Sequence, residues 1–285
     1  MQEMETKENQ IIHGVIWKQL LIFFFPILLG TFFQQIYNTA DTVVVGRFVG
    51  TEALAAVGGS TSQIINLIVG FFTGLASGAT VVISQHYGAK QEDGVQKALH
   101  TAYAFSVVGG IIISIMGILI TRPLLKLMNT PDNIIDLSAT YLCIYFAGLV
   151  FVFIYNVGAG ILRAVGDSRR PLYFLILCCF INIVLDIILI VFLKMGVAGA
   201  AIATTFSQGI SAVMVTVTLC RTTDIFRLRV KKIRFHAQPM GMIVKIGLPA
   251  GLQSVMYSLS NVIIQSSLNT FGTETVAAWT AFSKI

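Results

Sequence analysis

The chain has 285 residues, of which 55% are hydrophobic and only 11% charged, with a mean hydropathy of +0.82. Soluble domains carry roughly a quarter charged residues, so this balance excludes a water-soluble enzyme or binding module and points to an integral membrane protein. The net charge of +6 is carried by cations set between apolar runs, which reads as a topology signal and excludes nucleic acid as a partner.

Residues 1–18 are polar and of mixed charge, and no cleavable signal core follows them. Apolar runs long enough to cross a bilayer fall near 20–46, 55–83, 98–120, 135–161, 172–193, 197–219 and 243–269, with another opening near 276. From Val276 to Ile285 the chain makes about 15 Å of helix against a hydrocarbon core of about 30 Å, so a truncated last helix is expected. The expected fold is an all-α integral membrane protein. Its parts are a cytoplasmic amino terminus (1–18), a six-helix bundle forming an amino lobe (19–220), a basic cytoplasmic linker (221–242) and the start of a second bundle (243–285).

The second bundle repeats the first. Pro26 pairs with Pro249 and Asn38 with Asn261; after a one-residue gap, Gly50-Thr51-Glu52 pairs with Gly272-Thr273-Glu274, and Ala55-Ala56 with Ala277-Ala278. Duplication over a separation of about 220 residues is the mark of carriers whose two lobes rock about a central site.

Lys and Arg set the orientation. With the amino terminus in the cytoplasm, only Arg47, Arg122, Lys126 and Lys194 fall in outside loops, and Lys284 in the last helix; the rest of the 19 lie inside. The basic run from Arg221 to Arg234 then faces the anionic inner leaflet. Cys143, Cys178, Cys179 and Cys220 lie in or at the ends of spans without metal-ligand spacing, so no disulfide framework is expected. Gly70, Gly74 and Gly78 recur every fourth residue and leave one face of the second span bare for close helix packing.

Of the 13 acidic residues, only Asp41 and Asp186 lie within spans. A charge at that depth costs several kcal/mol unless paired, hydrated or protonated. Gln34, Asn38 and Asp41 form one polar stripe on the first span, and Asn182 and Asp186 share a face of the fifth. Thr204 and Tyr141 come at a similar height on the sixth and fourth spans. Two carboxylates, amides and a hydroxyl at one level suit a proton or a hard monovalent cation such as Na+; the alternative is a pair of neutral structural carboxyls. Pro26 lies inside the first span and reads either as a hinge coupled to Asp41 or as a static kink.

Taken together these residues resemble the multidrug and toxic compound extrusion (MATE) family. The resemblance rests on Pro26 followed by Asp41-Thr-Val-Val-Val-Gly-Arg47, and on Gly50-Thr-Glu-Ala-Leu-Ala-Ala56. It rests further on Arg163-Ala-Val-Gly-Asp-Ser-Arg-Arg-Pro171, on Asn182 with Asp186, and on Gly199-Ala-Ala-Ile-Ala-Thr204. It implies twelve helices in two six-helix lobes around a central cavity. The implied activity is export of small organic, often cationic and aromatic, compounds in exchange for Na+ or H+, with no other cofactor.

It also implies a cation site on residues matching Asp41, Asn182, Asp186 and Thr204, with Tyr141 beside it, and a cavity that takes in Gln34, Tyr37, Asn38 and Asn156. A plasma-membrane location and a monomeric full-length carrier complete the expectation. Some members carry a glutamate on the seventh helix; here the matching place is near Tyr257, and no acid occurs between Pro249 and Phe271.

Two other readings stay open: a flippase for a lipid-linked saccharide, whose diphosphate would call for mid-membrane cations that this chain lacks, and an inactive fragment of a carrier. By itself, the 285-residue chain is not expected to confer drug efflux. Catalysis is not expected, because His13, His86, His100 and His236 fall in termini, loops or helix ends without any metalloprotease, phosphate-loop or nucleophile-elbow spacing.

Overall fold

The computed structural model describes residues 16–282, so the terminal stretch bearing Lys7 and His13, and Lys284 at the other end, lie outside the described residues. Among the described residues the secondary structure is helical throughout. The helices are α1 (Ile16–Phe48), α2 (Thr51–Gly58), α3 (Ser60–Gly88), α4 (Glu92–Leu127), α5 (Asp132–Ala147) and α6 (Leu149–Ala164), followed by α7 (Arg169–Asp186), α8 (Gly196–Arg221), α9 (Ala237–Asn269) and α10 (Thr273–Phe282). Six helical stretches are long and apolar enough to cross a membrane, or seven when α5 and α6 count as one bent span. With large apolar side chains such as Phe25, Leu119, Phe180 and Phe192 turned outward, the chain is a multi-pass membrane protein.

Three local departures from the expected pattern have physical causes. The run over 135–161 is divided at Gly148, and its halves are bent by 49°. A Cβ on Gly148 would overlap the Thr205 side chain, so the bare glycine lets α8 press into the bend. The fifth span continues past Asp186 as a π-helical turn, Ile187–Phe192; such turns occur often at functional sites. Finally, α9 starts at Ala237, inside the stretch read as linker.

The repeat is visible in the backbone. Gly50 and Gly272 both take positive φ, 117° and 91°, with nothing within 4 Å of a Cβ, so conformation rather than space demands glycine at each turn. The short helices that follow, α2 and α10, pack on each other: Ala55 and Ala56 share a core with Val276 and Ala277, and Gly58 lies against Thr280. Glu52 accepts a hydrogen bond from Asn133 Nδ2 (3.1 Å), and Thr273 Oγ1 donates to Asn133 Oδ1 (2.9 Å), so both copies meet on one asparagine.

The glycine stripe of α3 receives α9. Gly70 faces Ser254, Gly74 meets the backbone of Gly251, and Gly78 meets Gly247. At the Gly50 end of this contact, Asn269 Nδ2 donates to Ser60 Oγ (2.8 Å) and to the Met128 carbonyl (2.6 Å). Gln265 Nε2 donates to Asn269 Oδ1 (2.9 Å) and Thr130 Oγ1 to Ser60 Oγ (3.0 Å), all with these side chains buried. The start of the second repeat is thus sealed along α3 by bare backbone and closed at one end by amides.

Candidate cation site

Burial sets the chemistry of the two intramembrane acids. Asp41 sits two turns before the end of α1, and Asp186 is the last residue of α7, which packs along α1. Both are buried, Asp186 completely. The two carboxylates lie within electrostatic range of each other, and Tyr141 of α5 lies within range of both. Asn182, one turn before Asp186 and fully buried, donates from Nδ2 to Thr204 Oγ1 of α8 at 3.5 Å. Tyr141 stacks on Tyr145 at 6.4 Å with 13° between the rings, and a small apolar core of Val45, Ile190, Val197 and Ala200 closes the cluster on one side.

The cluster is rich in acceptors. Among the described residues, neither Asp186 carboxylate oxygen has a hydrogen-bond partner, nor has Asn182 Oδ1. Buried polar atoms are paired in the great majority of cases, and two carboxylates in a low dielectric repel. A cation or proton seated among these oxygens meets both demands, so the donor set fits such a guest. Ion pairs among the described residues, Lys97 with Asp93 (2.6 Å), Arg122 with Asp136 (2.8 Å) and Arg170 with Asp167 (3.1 Å), lie at helix ends.

The structure brings Asp41, Asn182, Asp186, Thr204 and Tyr141 together, with Tyr37 at the edge, where it lies within range of Asp41 and bonds to Gln208. Other expected residues stand apart. Gln34 is exposed on α1. Asn38 Nδ2 donates to its own-helix neighbour Gln35 Oε1 (3.4 Å). Asn156 donates to the Val152 carbonyl (2.8 Å) and lines a separate small pocket with Phe72, Phe105 and Phe153. Pro26 is buried inside a continuous α1, where its missing N–H leaves the Ile22 carbonyl one helical bond short.

Residue-by-residue reading misses Gln208 and Ser211, which extend the polar line of Thr204 along α8 at spacings of four and three; Ser211 contacts Cys178 of α7. It also misses an open, mainly apolar groove that runs beside the α3–α9 seam, lined by Asn66, Val69, Gly70, Thr73, Gly74, Ser77 and Ser254.

The MatE family model matches residues 26–188, more than half of the chain and the stretch that holds both buried acids. The chain belongs to the MatE family. This MatE chain is 31% identical over 294 aligned residues to the probable multidrug resistance protein YoeA of Bacillus subtilis (strain 168), covering 99% of itself and 63% of the relative. Its fold is similar to two solved structures, each described as a multidrug resistance MATE family transporter of the MOP superfamily, one inward-facing and one outward-facing. The inward-facing structure gives a TM-score of 0.81 at 29% identity over 87% of this chain and 56% of that one. The outward-facing structure gives 0.84 at 28% identity over 94% and 59%. This MatE chain therefore spans less than two thirds of the length of the relatives it matches.

Proposed function

We propose that this chain serves the export of small organic compounds across the cell membrane by antiport, exchanging them for Na+ or H+ through alternating access. Its amino terminus lies in the cytoplasm and the Gly50 end of the bundle faces outside. The observation that carries the reading is the buried acceptor cluster: Asp186 with both oxygens unmatched, Asp41 within electrostatic range, and Asn182 held against Thr204. A cation seated there cancels the repulsion between the two acids. Its release restores that repulsion, which acts between α1 and α7, the two helices that carry the acids.

The names of the relatives support multidrug compounds as the cargo class, since YoeA is described as a probable multidrug resistance protein. The groove beside the α3–α9 seam is mainly apolar, with hydroxyl and amide contacts from Asn66, Thr73, Ser77 and Ser254, a lining that suits an amphiphilic cargo passing between the two repeats. With the amides of Asn269 and Gln265 closing the outer end of the α3–α9 contact, the conformation is shut at that seam on the outer side. A net charge crossing the membrane contributes about 2.3 kcal/mol per 100 mV, which drives export of a neutral cargo. A monovalent cation exchanged one for one is driven instead by the concentration gradient of the coupling ion.

The test is uptake of a fluorescent organic cation into inverted vesicles holding a carrier that contains this sequence, driven by an imposed Na+ or pH gradient. Asp41→Asn and Asp186→Asn are each expected to abolish gradient-driven accumulation while the protein still reaches the membrane. Accumulation at the wild-type rate in both variants contradicts the proposal.

A further inference from the structure

The segment between α8 and α9 is not a slack tether. Gln96 Nε2 of α4 donates to the carbonyls of Ile225 and of Arg227, the latter at 3.2 Å. His100 Nδ1 donates to the Gln96 carbonyl (2.7 Å), and its Nε2 accepts the Arg229 N–H (3.1 Å). Thr101 Oγ1 accepts the His236 N–H (3.2 Å). Phe226 and Leu228 are buried in the main core, where Phe226 meets the Tyr87 ring edge-to-face. The Leu228 N–H closes back on the Leu219 carbonyl (2.9 Å). The backbone of this strap is therefore fixed to the inner end of the amino lobe at three consecutive places along α4.

What the fixed backbone displays is specific. Arg221, Arg227, Arg229, Lys231, Lys232 and Arg234 are all exposed, against one acid, Asp224. Among them stand two large apolar side chains turned to solvent, Val230 at 63% and Phe235 at 50% exposure. The helices on either side, ending at Arg221 and starting at Ala237, both span the membrane, so the strap lies at the membrane surface. Burial first, and then the positive charge of the strap's own Arg234, hold the His236 ring neutral.

We propose that Arg229–Phe235 is a binding site for anionic phospholipid headgroups of the inner leaflet. The guanidinium and ammonium groups of Arg229, Lys231, Lys232 and Arg234 hold the phosphate, and Val230 and Phe235 enter the acyl boundary beside it. This goes beyond the transport reading and takes from it only the orientation that sets the strap on the cytoplasmic side. Cations alone would suit any acidic partner; the apolar pair among them, at the ends of two spans, selects a lipid surface. Each cation near an anionic surface strengthens binding by about fivefold, and pinning the strap removes the ordering cost that a loose loop would bear.

The experiment is native mass spectrometry of the 285-residue chain equilibrated with equal amounts of phosphatidylglycerol and phosphatidylcholine. The expected result is selective retention of phosphatidylglycerol, lowered more than about tenfold by the exposed double change Lys231→Gln with Lys232→Gln. Phe235→Ser is expected to weaken retention without altering charge, and added inorganic phosphate to leave it unchanged. Equal retention of the two lipids by the wild-type chain overturns the proposal. So does selectivity that survives the double change, or displacement of the lipid by inorganic phosphate, which would mark a free-anion site.

Discussion

Asn269, near the carboxyl end of the chain, donates to Ser60 Oγ at 2.8 Å across 209 residues of sequence, and the contact is buried. It ties the end of α9 to the start of α3, so the first helix of the second repeat is closed against the amino lobe at the Gly50 end. On the transport mechanism proposed above, opening at this end has to break this bond. Asn269→Ala removes a donor that also serves the Met128 carbonyl and an acceptor that serves Gln265. Leaving those groups buried and unmatched costs about 1–3 kcal/mol. A fall in the thermal midpoint in detergent is expected; an unchanged midpoint would show the contact to be idle.

The glycine seam offers a sharper contrast. A Cβ on Gly74 would stand 2.5 Å from the Gly251 Cα, and backbone cannot yield as a flexible side chain can. Gly74→Ala should therefore separate α3 and α9 and destabilise the chain by about 1–3 kcal/mol. Gly109→Ala meets only the Phe72 ring at 3.6 Å and the Phe105 ring at 4.0 Å, and should be neutral or stabilising by up to about 1 kcal/mol through helix propensity. Thermal melts of the two single variants in one detergent decide the matter.

The strap supplies a pH dependence whose sign can be worked out. Burial first, then the charges of Arg234 and Lys97, hold the His236 imidazole below its ordinary proton affinity. The neutral ring accepts from Arg234 Nε at 3.1 Å and meets Thr101 Oγ1 at 3.2 Å through Nδ1. An unfolded strap takes up a proton near about pH 6.5, whereas the folded strap does so only at lower pH. The stabilisation is therefore full above about pH 6.5 and is lost as pH falls through the folded value. Amide exchange over 222–236, corrected for intrinsic rates, should rise on acidification in the wild-type chain and lose most of that rise in His236→Gln.

Thr204 tests the wall of the cation site without touching either acid. Thr204→Val keeps the shape but removes the acceptor for Asn182 Nδ2 and, with it, one oxygen of the proposed site. Cation affinity should drop by about tenfold, the order of one buried polar interaction, and Thr204→Ser should restore it. A titration of bound Na+ or of proton uptake on the three proteins checks this.

Much of this architecture could be read from the residues because membrane helices leave a coarse trace: long apolar runs, Gly50 and Gly272 at equivalent turns, and two acids where acids are costly. The expected partners of Asp41 and Asp186 also follow from helical phase, since α1, α7 and α8 run nearly the full span and keep their register. What escaped was set by contacts between distant segments. Nothing in 135–161 marks Gly148 as a bend until Thr205 of α8 is seen to occupy the space of its missing side chain. Gln34 and Asn38 share a stripe with Asp41, yet a helix face wide enough for three residues turns Gln34 outward while it buries Asp41. The strap at 222–236 looks like a solvated linker by charge; its fixation depends on Gln96, His100 and Thr101, more than a hundred residues upstream.

The central claim is that Asp41 and Asp186 jointly seat an exchangeable cation. Difference infrared spectroscopy of the 285-residue chain in lipid, on addition of Na+ and on a pH step, observes the carboxyl groups directly. The expected result is a carboxyl band that shifts with at least one of the two cations and disappears in both Asp41→Asn and Asp186→Asn. A band that persists unchanged in both variants, or a wild-type spectrum indifferent to either cation, would contradict it.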